Sequence, residues 1–203
     1  MGDHTFLDVT HVFFLEFIQK NLAQLGAAAT TASLMQTAVD VAERFPVVDF
    51  ASLDEFVEAI DDLRNPIARI EGRAEHLGGG LFALGRCPFA ESVRNYRKVH
   101  GDIPALTAIT DAFNQPSEAT ARYHVGHGAA VCAFCAIHQT LRGAVSGRIT
   151  IGGRPVRVFQ LGCKGADGST SVADPFLAEV GVTRERLDQI LREHVCCYAV
   201  LPS

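Results

Sequence analysis

Cysteine and histidine side chains are concentrated in residues 123–138, a small part of the sequence. The whole chain has 6 cysteines and 8 histidines. Residues 123–138 contain His124, His127, Cys132, Cys135 and His138. Thiolate and imidazole groups are the ligands that zinc and several other transition metals prefer in proteins. The stretch therefore indicates a metal site or a site of thiol redox chemistry.

Cys132 and Cys135 have a spacing that allows two thiolates to share one ion. Residues 117–142 are predicted to form a helix. Side chains three residues apart on a helix lie about 60° apart around its axis, so both thiolates reach the same ion. His124 and His127 lie on nearly the same side of this helix as Cys135, which makes both histidines candidate ligands.

Two further cysteines lie where predicted strands end. Cys87 directly precedes Pro88, the first residue of a predicted helix, and Cys163 follows the predicted strand 156–161. If both strand ends face the 117–142 helix, their thiolates complete a shell of cysteines, and a histidine in place of Cys87 gives a mixed shell. The predicted metal ligands are Cys132, Cys135, Cys163, Cys87, His127 and His124. Zinc is the expected metal, and an iron–sulfur cluster is the alternative.

Other interpretations of the same cysteines stay open. Cysteine is among the most buried residue types, so Cys132 and Cys135 are also compatible with inert packing in a core. A redox dithiol usually opens a helix, whereas this pair lies inside one. Cys87 at a helix N-terminus is also a candidate reactive thiol, because the helix dipole stabilises a thiolate there. The alternative function is therefore a metal-dependent hydrolase or a thiol redox enzyme that uses Cys87 or the Cys132–Cys135 pair.

The preferred interpretation is a metal-binding domain that binds or senses a small apolar molecule. The chain contains 13 phenylalanines, which predict an apolar cavity for such a ligand. A structural zinc takes four protein ligands, whereas a catalytic zinc keeps one position open. Asp111 and Glu118, the nearest acids upstream of the candidate ligands, are expected on helix surfaces, so no general base is evident.

The composition limits the possible functions. The chain has 203 residues, of which 48% are hydrophobic and 20% charged, and its net charge is −5. These values predict one folded domain over residues 1–203. The basic residues are scattered and predict no surface for nucleic acid or an anionic membrane. Neither a signal peptide nor a membrane span is recognised, so a cytoplasmic location with reduced cysteines is expected.

The first part of this domain, residues 1–71, is predicted to be helical. Apolar residues at helical spacing predict helices over 5–25 and 33–45, joined by a connector of small residues. Ser52 and Glu55 form a capping-box pattern that begins a third helix.

The second part, residues 72–203, is predicted to be α+β. Hairpins are expected over 73–85 and 148–161, and the glycine-rich stretch 162–170 is expected to be a loop. The predicted fold is thus α+β, with N-terminal helices followed by a small, mainly antiparallel sheet packed against the Cys/His-bearing helix 117–142.

The end of the chain is predicted to be a helix beginning after Thr183, followed by a strand over 195–201. Cys196 and Cys197 are adjacent in this strand, so their side chains are expected on opposite faces of the sheet. The strand resembles the end of vinyl-reductase-type small-molecule-binding domains. This resemblance covers the strand alone, and no fold, activity or site residue is transferred from it.

Overall fold

The computed structural model describes residues 4–59, 74–101, 144–165, 168–172 and 174–202. The remaining residues, which include the whole of the predicted 117–142 helix, lie outside the described part of the chain. Among the described helices, none is both long and apolar enough to span a membrane.

The described part contains five helices and seven strands, beginning with a helix and ending with a strand. In chain order the elements are α1 (His4–Ala42), β1 (Val48–Phe50), α2 (Leu53–Glu58), β2 (Glu75–Gly78), β3 (Leu81–Leu84), α3 (Pro88–His100), β4 (Ile149–Ile151), β5 (Arg154–Gly165), β6 (Gly168–Ser171), α4 (Asp174–Glu179), α5 (Arg184–Glu193) and β7 (Cys196–Pro202).

Helix α1 is interrupted at one residue only. Gly26 has φ 79° and ψ 169°, a conformation that glycine adopts without the strain a side chain would impose. Helical structure resumes directly after Gly26, where a connector of small residues was expected. Alanine has the highest helix propensity, which explains why the alanine-rich stretch 27–32 is helical.

The strands form one sheet of seven strands in the order β1-β4-β5-β7-β3-β2, with β6 also paired to β5. The β1–β4 pair is parallel, and the other described pairs are antiparallel. The α+β class is confirmed, but the sheet is larger than predicted. Strand β1 is a further element within residues 1–71, where helices alone were predicted.

The hairpins predicted at the two glycine-rich turns are present. Strands β2 and β3 pair as expected, and β4 pairs with β5 across Gly152 and Gly153. These two glycines have φ 58° and 72°, the left-handed values that a tight two-residue hairpin turn requires. The loop expected over 162–170 is instead the β5–β6 hairpin, in which Gly162 pairs with Ser171. Glycine has no side chain, so the glycines of this hairpin interrupt the alternation of side chains by which a strand is recognised in a sequence.

Two clusters of buried side chains contact the sheet. The helix-side cluster joins Leu15 and Ile18 of α1 and Leu187 and Ile190 of α5 to strand residues such as Leu161. The aromatic cluster includes Phe50, Phe56, Phe82 and Tyr198. Along β5, Val156 and Val158 belong to the aromatic cluster whereas Phe159 and Leu161 belong to the helix-side cluster, as the alternation of a strand requires.

The helix starts predicted at Ser52 and Thr183 are confirmed. The Glu55 N–H donates to the Ser52 hydroxyl at 3.1 Å, and the Arg186 N–H donates to the Thr183 hydroxyl at 3.2 Å. Each bond satisfies a backbone donor that has no partner inside its own helix. From this start, α5 packs Leu187 and Ile190 in the helix-side cluster, together with residues of β5 and β7.

Candidate metal site

Of the predicted metal ligands, Cys87 and Cys163 lie in the described part of the chain. Cys132, Cys135, His127 and His124 lie outside the described residues. Within the described ranges, no group of three or more His, Cys, Asp or Glu side chains is placed to hold a metal ion. The geometry of the site can therefore be built from Cys87, Cys163 and their neighbours.

Cys163 lies near the end of β5, directly opposite Cys196 in the β5–β7 ladder. Cys196 is in turn opposite Leu84, the last residue of β3. The ladder continues beyond this row, since the Lys164 N–H donates to the Val195 carbonyl at 2.7 Å and the Val195 N–H donates to the Leu84 carbonyl at 2.8 Å. Three neighbouring strands thus bring Cys163, Cys196 and Leu84 into one row across the sheet.

Cys87 reaches the same end of the sheet from β3. It follows Leu84 by three residues and directly precedes α3, and the Glu91 N–H donates to the Cys87 carbonyl at 3.1 Å. Cys87 therefore has the N-terminal position that the sequence predicts. Three residues of extended chain span at most about 10 Å, so Cys87 lies within that distance of Leu84. Neighbouring strands lie about 4.8 Å apart, so Cys196 and Cys163 follow Leu84 at that spacing across the sheet. We call this group, Cys87, Cys163 and Cys196, the cysteine corner.

All members of the cysteine corner are buried. Cys87 is 8% exposed, Cys163 1% and Cys196 4%, and none of the described cysteines forms a disulfide. A buried thiolate without a compensating cation is unfavourable. The chemistry available at this corner is therefore that of neutral thiols or that of thiolates paired with a cation.

Cys196 and Cys197 face opposite sides of the sheet, as predicted from their adjacency. Cys196 packs in the aromatic cluster, where its sulfur accepts a hydrogen bond from Gln160 Nε2 at 3.4 Å. Cys197 and Cys163 pack in the helix-side cluster. A register shift between Gln160 and Gly162 lies immediately before the Cys163–Cys196 pair, at the point where the two cysteines of the pair come to pack in different clusters.

Cys197 has an environment that suppresses ionisation. Burial raises the pKa of the Cys197 thiol to about 12, the neighbouring Cys196 adds to the increase, and Arg186 opposes it. At neutral pH the side chain is a protonated thiol. Like the other buried thiols, it would form the thiolate that binds metals only if a cation lay beside it.

His194 lies close to the cysteine corner and was missed in the sequence. It directly follows α5, two residues before Cys196, and its Nε2 is 2.9 Å from a carboxylate oxygen of Glu75. Its Nδ1 is 3.2 Å from the Ile190 carbonyl. A histidine between the last helix and a cysteine-bearing strand was the signal that could have identified it. These contacts connect the end of α5 to β2.

Comparisons with family models, with curated proteins and with solved structures found no match for this chain.

Proposed function

We propose that the protein binds a transition metal through the thiolates of Cys132, Cys135 and Cys163, with Cys87 completing the shell. The observation that carries this proposal is the position of Cys87 and Cys163, which are distant in sequence but buried at the same end of the sheet. Their burial favours a thiolate only when a cation is adjacent, which a metal ion supplies. Zinc fits such a thiolate set, and an iron–sulfur cluster is the alternative.

A histidine, His127 or His124, replaces Cys87 in the second form of this proposal. Thiolate and imidazole together are typical of zinc, whereas four thiolates suit either zinc or an iron–sulfur cluster. In both forms four protein ligands close the shell, and the metal stabilises the domain without an open position for catalysis. The thiols lose their protons on binding, so metal affinity rises with pH until the thiolates are formed.

Metal analysis of protein purified without oxygen tests the proposal. We expect one zinc per chain and no visible absorption; brown protein with charge-transfer bands would instead identify the iron–sulfur form. Cys163→Ala is expected to lose the metal. The matched control is Cys197→Ala, which removes a neighbouring thiol whose pKa is raised to about 12 and is expected to keep the metal. A folded wild-type protein without metal contradicts the proposal.

The number of protein ligands distinguishes a structural from a catalytic role. X-ray absorption at the zinc edge is expected to show four protein ligands, with sulfur scatterers at about 2.3 Å. Three protein ligands and one water oxygen would favour the metal-dependent hydrolase. His127→Ala extends the test, because loss of metal and stability together supports a structural ligand. A folded, metal-loaded variant that has lost hydrolytic turnover would indicate an enzyme.

We further propose that the domain binds a small apolar molecule on the side of the aromatic cluster. The rings of Phe82 and Tyr198 are stacked with centroids 5.5 Å apart, and the edge-to-face Phe56 and Phe82 rings are 5.9 Å apart. Phe56, Phe82 and Tyr198 are fully buried, so the ligand would be enclosed among rings that have little side-chain entropy to lose. Toluene is a suitable probe and is expected to raise the Tm of the wild-type protein.

The toluene experiment has a matched pair of variants on opposite sides of the sheet. Phe82→Leu alters the aromatic cluster, and Phe176→Leu alters a partly buried ring beside the helix-side cluster. The increase in Tm should shrink in the first variant and persist in the second. An unchanged Tm of the wild-type protein in saturating toluene contradicts this proposal without affecting the metal analysis.

A further inference from the structure

The outer face of α1 presents large apolar side chains to solvent. Val9, Phe13 and Phe17 are spaced four residues apart and are 64%, 72% and 54% exposed; we call them the α1 stripe. On the other side of the same helix, Leu15 and Ile18 are fully buried in the helix-side cluster. A surface helix usually has polar residues opposite its buried face, so an apolar stripe there indicates an interaction surface.

Charged and small side chains accompany the stripe in a fixed order. Glu16 and Lys20 are exposed on the same face of α1, and Ala23 follows one turn later, also exposed. At 100° per residue these side chains lie within about 60° of Val9 around the helix axis. The face therefore carries a large aromatic ring, an acid, a base and a small residue in succession.

We propose that the α1 stripe is the interface with a second copy of this chain, in which the two α1 helices pack antiparallel around a twofold axis. The axis lies midway between Glu16 and Lys20. Under this symmetry, Glu16 is opposite the partner's Lys20, and Phe13 is opposite the partner's Ala23. Phe17 of one copy lies beside the partner's Phe17, close to the axis.

The charge order selects this arrangement over a parallel one. Two antiparallel copies form the Glu16–Lys20 pair twice, because a twofold interface repeats every contact. A parallel pair in register would place Glu16 against the partner's Glu16 and Lys20 against the partner's Lys20, and like charges in contact are unfavourable. The antiparallel order also places the small Ala23 at the same height along the helix as the partner's Phe13, which leaves space for the ring.

Analytical ultracentrifugation of the full chain over a range of concentrations tests the proposal. The wild-type protein is expected to be a dimer, and Phe13→Ser combined with Phe17→Ser should raise the dissociation constant by about a hundredfold or more. The matched control is Val47→Ser, since Val47 is 65% exposed but lies outside α1. It should leave the dissociation constant unchanged.

A charge exchange tests the antiparallel order itself. Glu16→Lys and Lys20→Glu should each weaken the dimer by about tenfold, because each puts like charges opposite one another. The double variant restores both pairs with reversed polarity and should recover the wild-type dissociation constant. Two single variants and a double variant that are all equally weak would exclude this order.

Other outcomes would overturn the second-copy assignment. A wild-type monomer at every concentration removes it directly. A monomer that loses thermal stability in the Phe13→Ser and Phe17→Ser variant would show that another part of the same chain covers the stripe. A monomer that binds phosphatidylglycerol vesicles through these residues would assign the stripe to a lipid surface.

Discussion

Cys163 of β5 and Cys196 of β7 are directly paired across an antiparallel ladder, yet they pack in different clusters. The Cys196 sulfur accepts a hydrogen bond from Gln160, which ties it to the aromatic cluster. Cys163 packs with the helix-side cluster, one strand away from Cys197. Paired positions in adjacent strands therefore place Cys163 and Cys197 in one cluster and Cys196 in the other.

Cys197 is expected to make the stability of the protein depend on alkaline pH. Burial raises the pKa of its thiol from 9.0 to about 12 in the folded protein. Below pH 9 the thiol is protonated in both the folded and the unfolded chain, so its ionisation does not lower the free energy of unfolding. Between pH 9 and about 12 the unfolded chain releases the proton first, and the free energy of unfolding falls by at most about 1.4 kcal/mol per pH unit.

Urea denaturation of the wild-type protein and of Cys197→Ala, at pH values from 7 to 10.5, measures this effect. The variant keeps every other titrating group, so the difference between the two pH slopes belongs to Cys197. We expect the variant to lose less stability than the wild-type protein above pH 9. Identical slopes would show that the thiol is not the group responsible. Iodoacetamide at pH 8 should likewise leave Cys197 unmodified in the folded protein.

The elements that the sequence predicts correctly are those specified by nearby residues. Thr183 caps α5 through a bond to the Arg186 N–H three residues later, and Gly152 and Gly153 set the β4–β5 turn through their own φ angles. Strand β1 depends instead on a distant partner, since Val48 pairs with Ile149. Three residues carry too little periodicity to predict a strand, and nothing local indicates where its partner lies.

The candidate site shows the same division between local and distant information. The proline after Cys87 predicts its position at the start of α3, and strand composition predicts that Cys163 lies near the end of β5. That the two lie at the same end of the sheet depends on the strand order β5-β7-β3, which is set by the packing of the whole sheet. The contribution of Cys132, Cys135, His127 and His124 stays a prediction, because they lie outside the described residues.

Gly80 is expected to tolerate no side chain. A Cβ atom at this position would overlap the carbonyl oxygen of Val200, and the Val200 N–H donates to the Gly80 carbonyl at 2.7 Å. Relief of the overlap requires a shift of backbone in the turn or in β7, so Gly80→Ala should cost about 1–3 kcal/mol of unfolding free energy. Gly85→Ala is the matched control, because a Cβ on Gly85 meets no atom within 4 Å.

Thermal or urea unfolding of the two glycine variants checks this prediction. Alanine restricts the unfolded chain equally in both, so the entropic gain of the substitution cancels in the comparison. We expect Gly85→Ala to unfold at or slightly above the wild-type midpoint and Gly80→Ala clearly below it. Equal midpoints would mean that the turn before β3 moves away from β7 at little cost.

Arg184 is expected to hold the start of α5 to the end of β6. Its guanidinium donates to the Ser171 hydroxyl and the Val172 carbonyl and to an Asp174 carboxylate oxygen at 2.8 Å. The Arg184 side chain is 29% exposed, whereas that of Asp174 is 75% exposed. Solvent screens the ion pair, so the bonds to Ser171 and Val172 should supply most of the stabilisation.

Arg184→Ala should therefore lower the free energy of unfolding by about 1–3 kcal/mol, because it leaves two part-buried acceptors without their donor. Arg184→Lys should recover little of this loss, since an ammonium group cannot donate in the fork geometry of a guanidinium. Arg186→Ala is the matched control on the same helix: Arg186 is exposed and donates to Gln189 at 3.1 Å, so its loss should change stability by less than about 0.5 kcal/mol.

Urea denaturation at two salt concentrations separates the contributions, because added salt should weaken the Asp174 pair and leave the bonds to Ser171 and Val172 almost unchanged. A loss in Arg184→Ala that disappears at high salt would show that Asp174, and not the two part-buried acceptors, is the partner that matters.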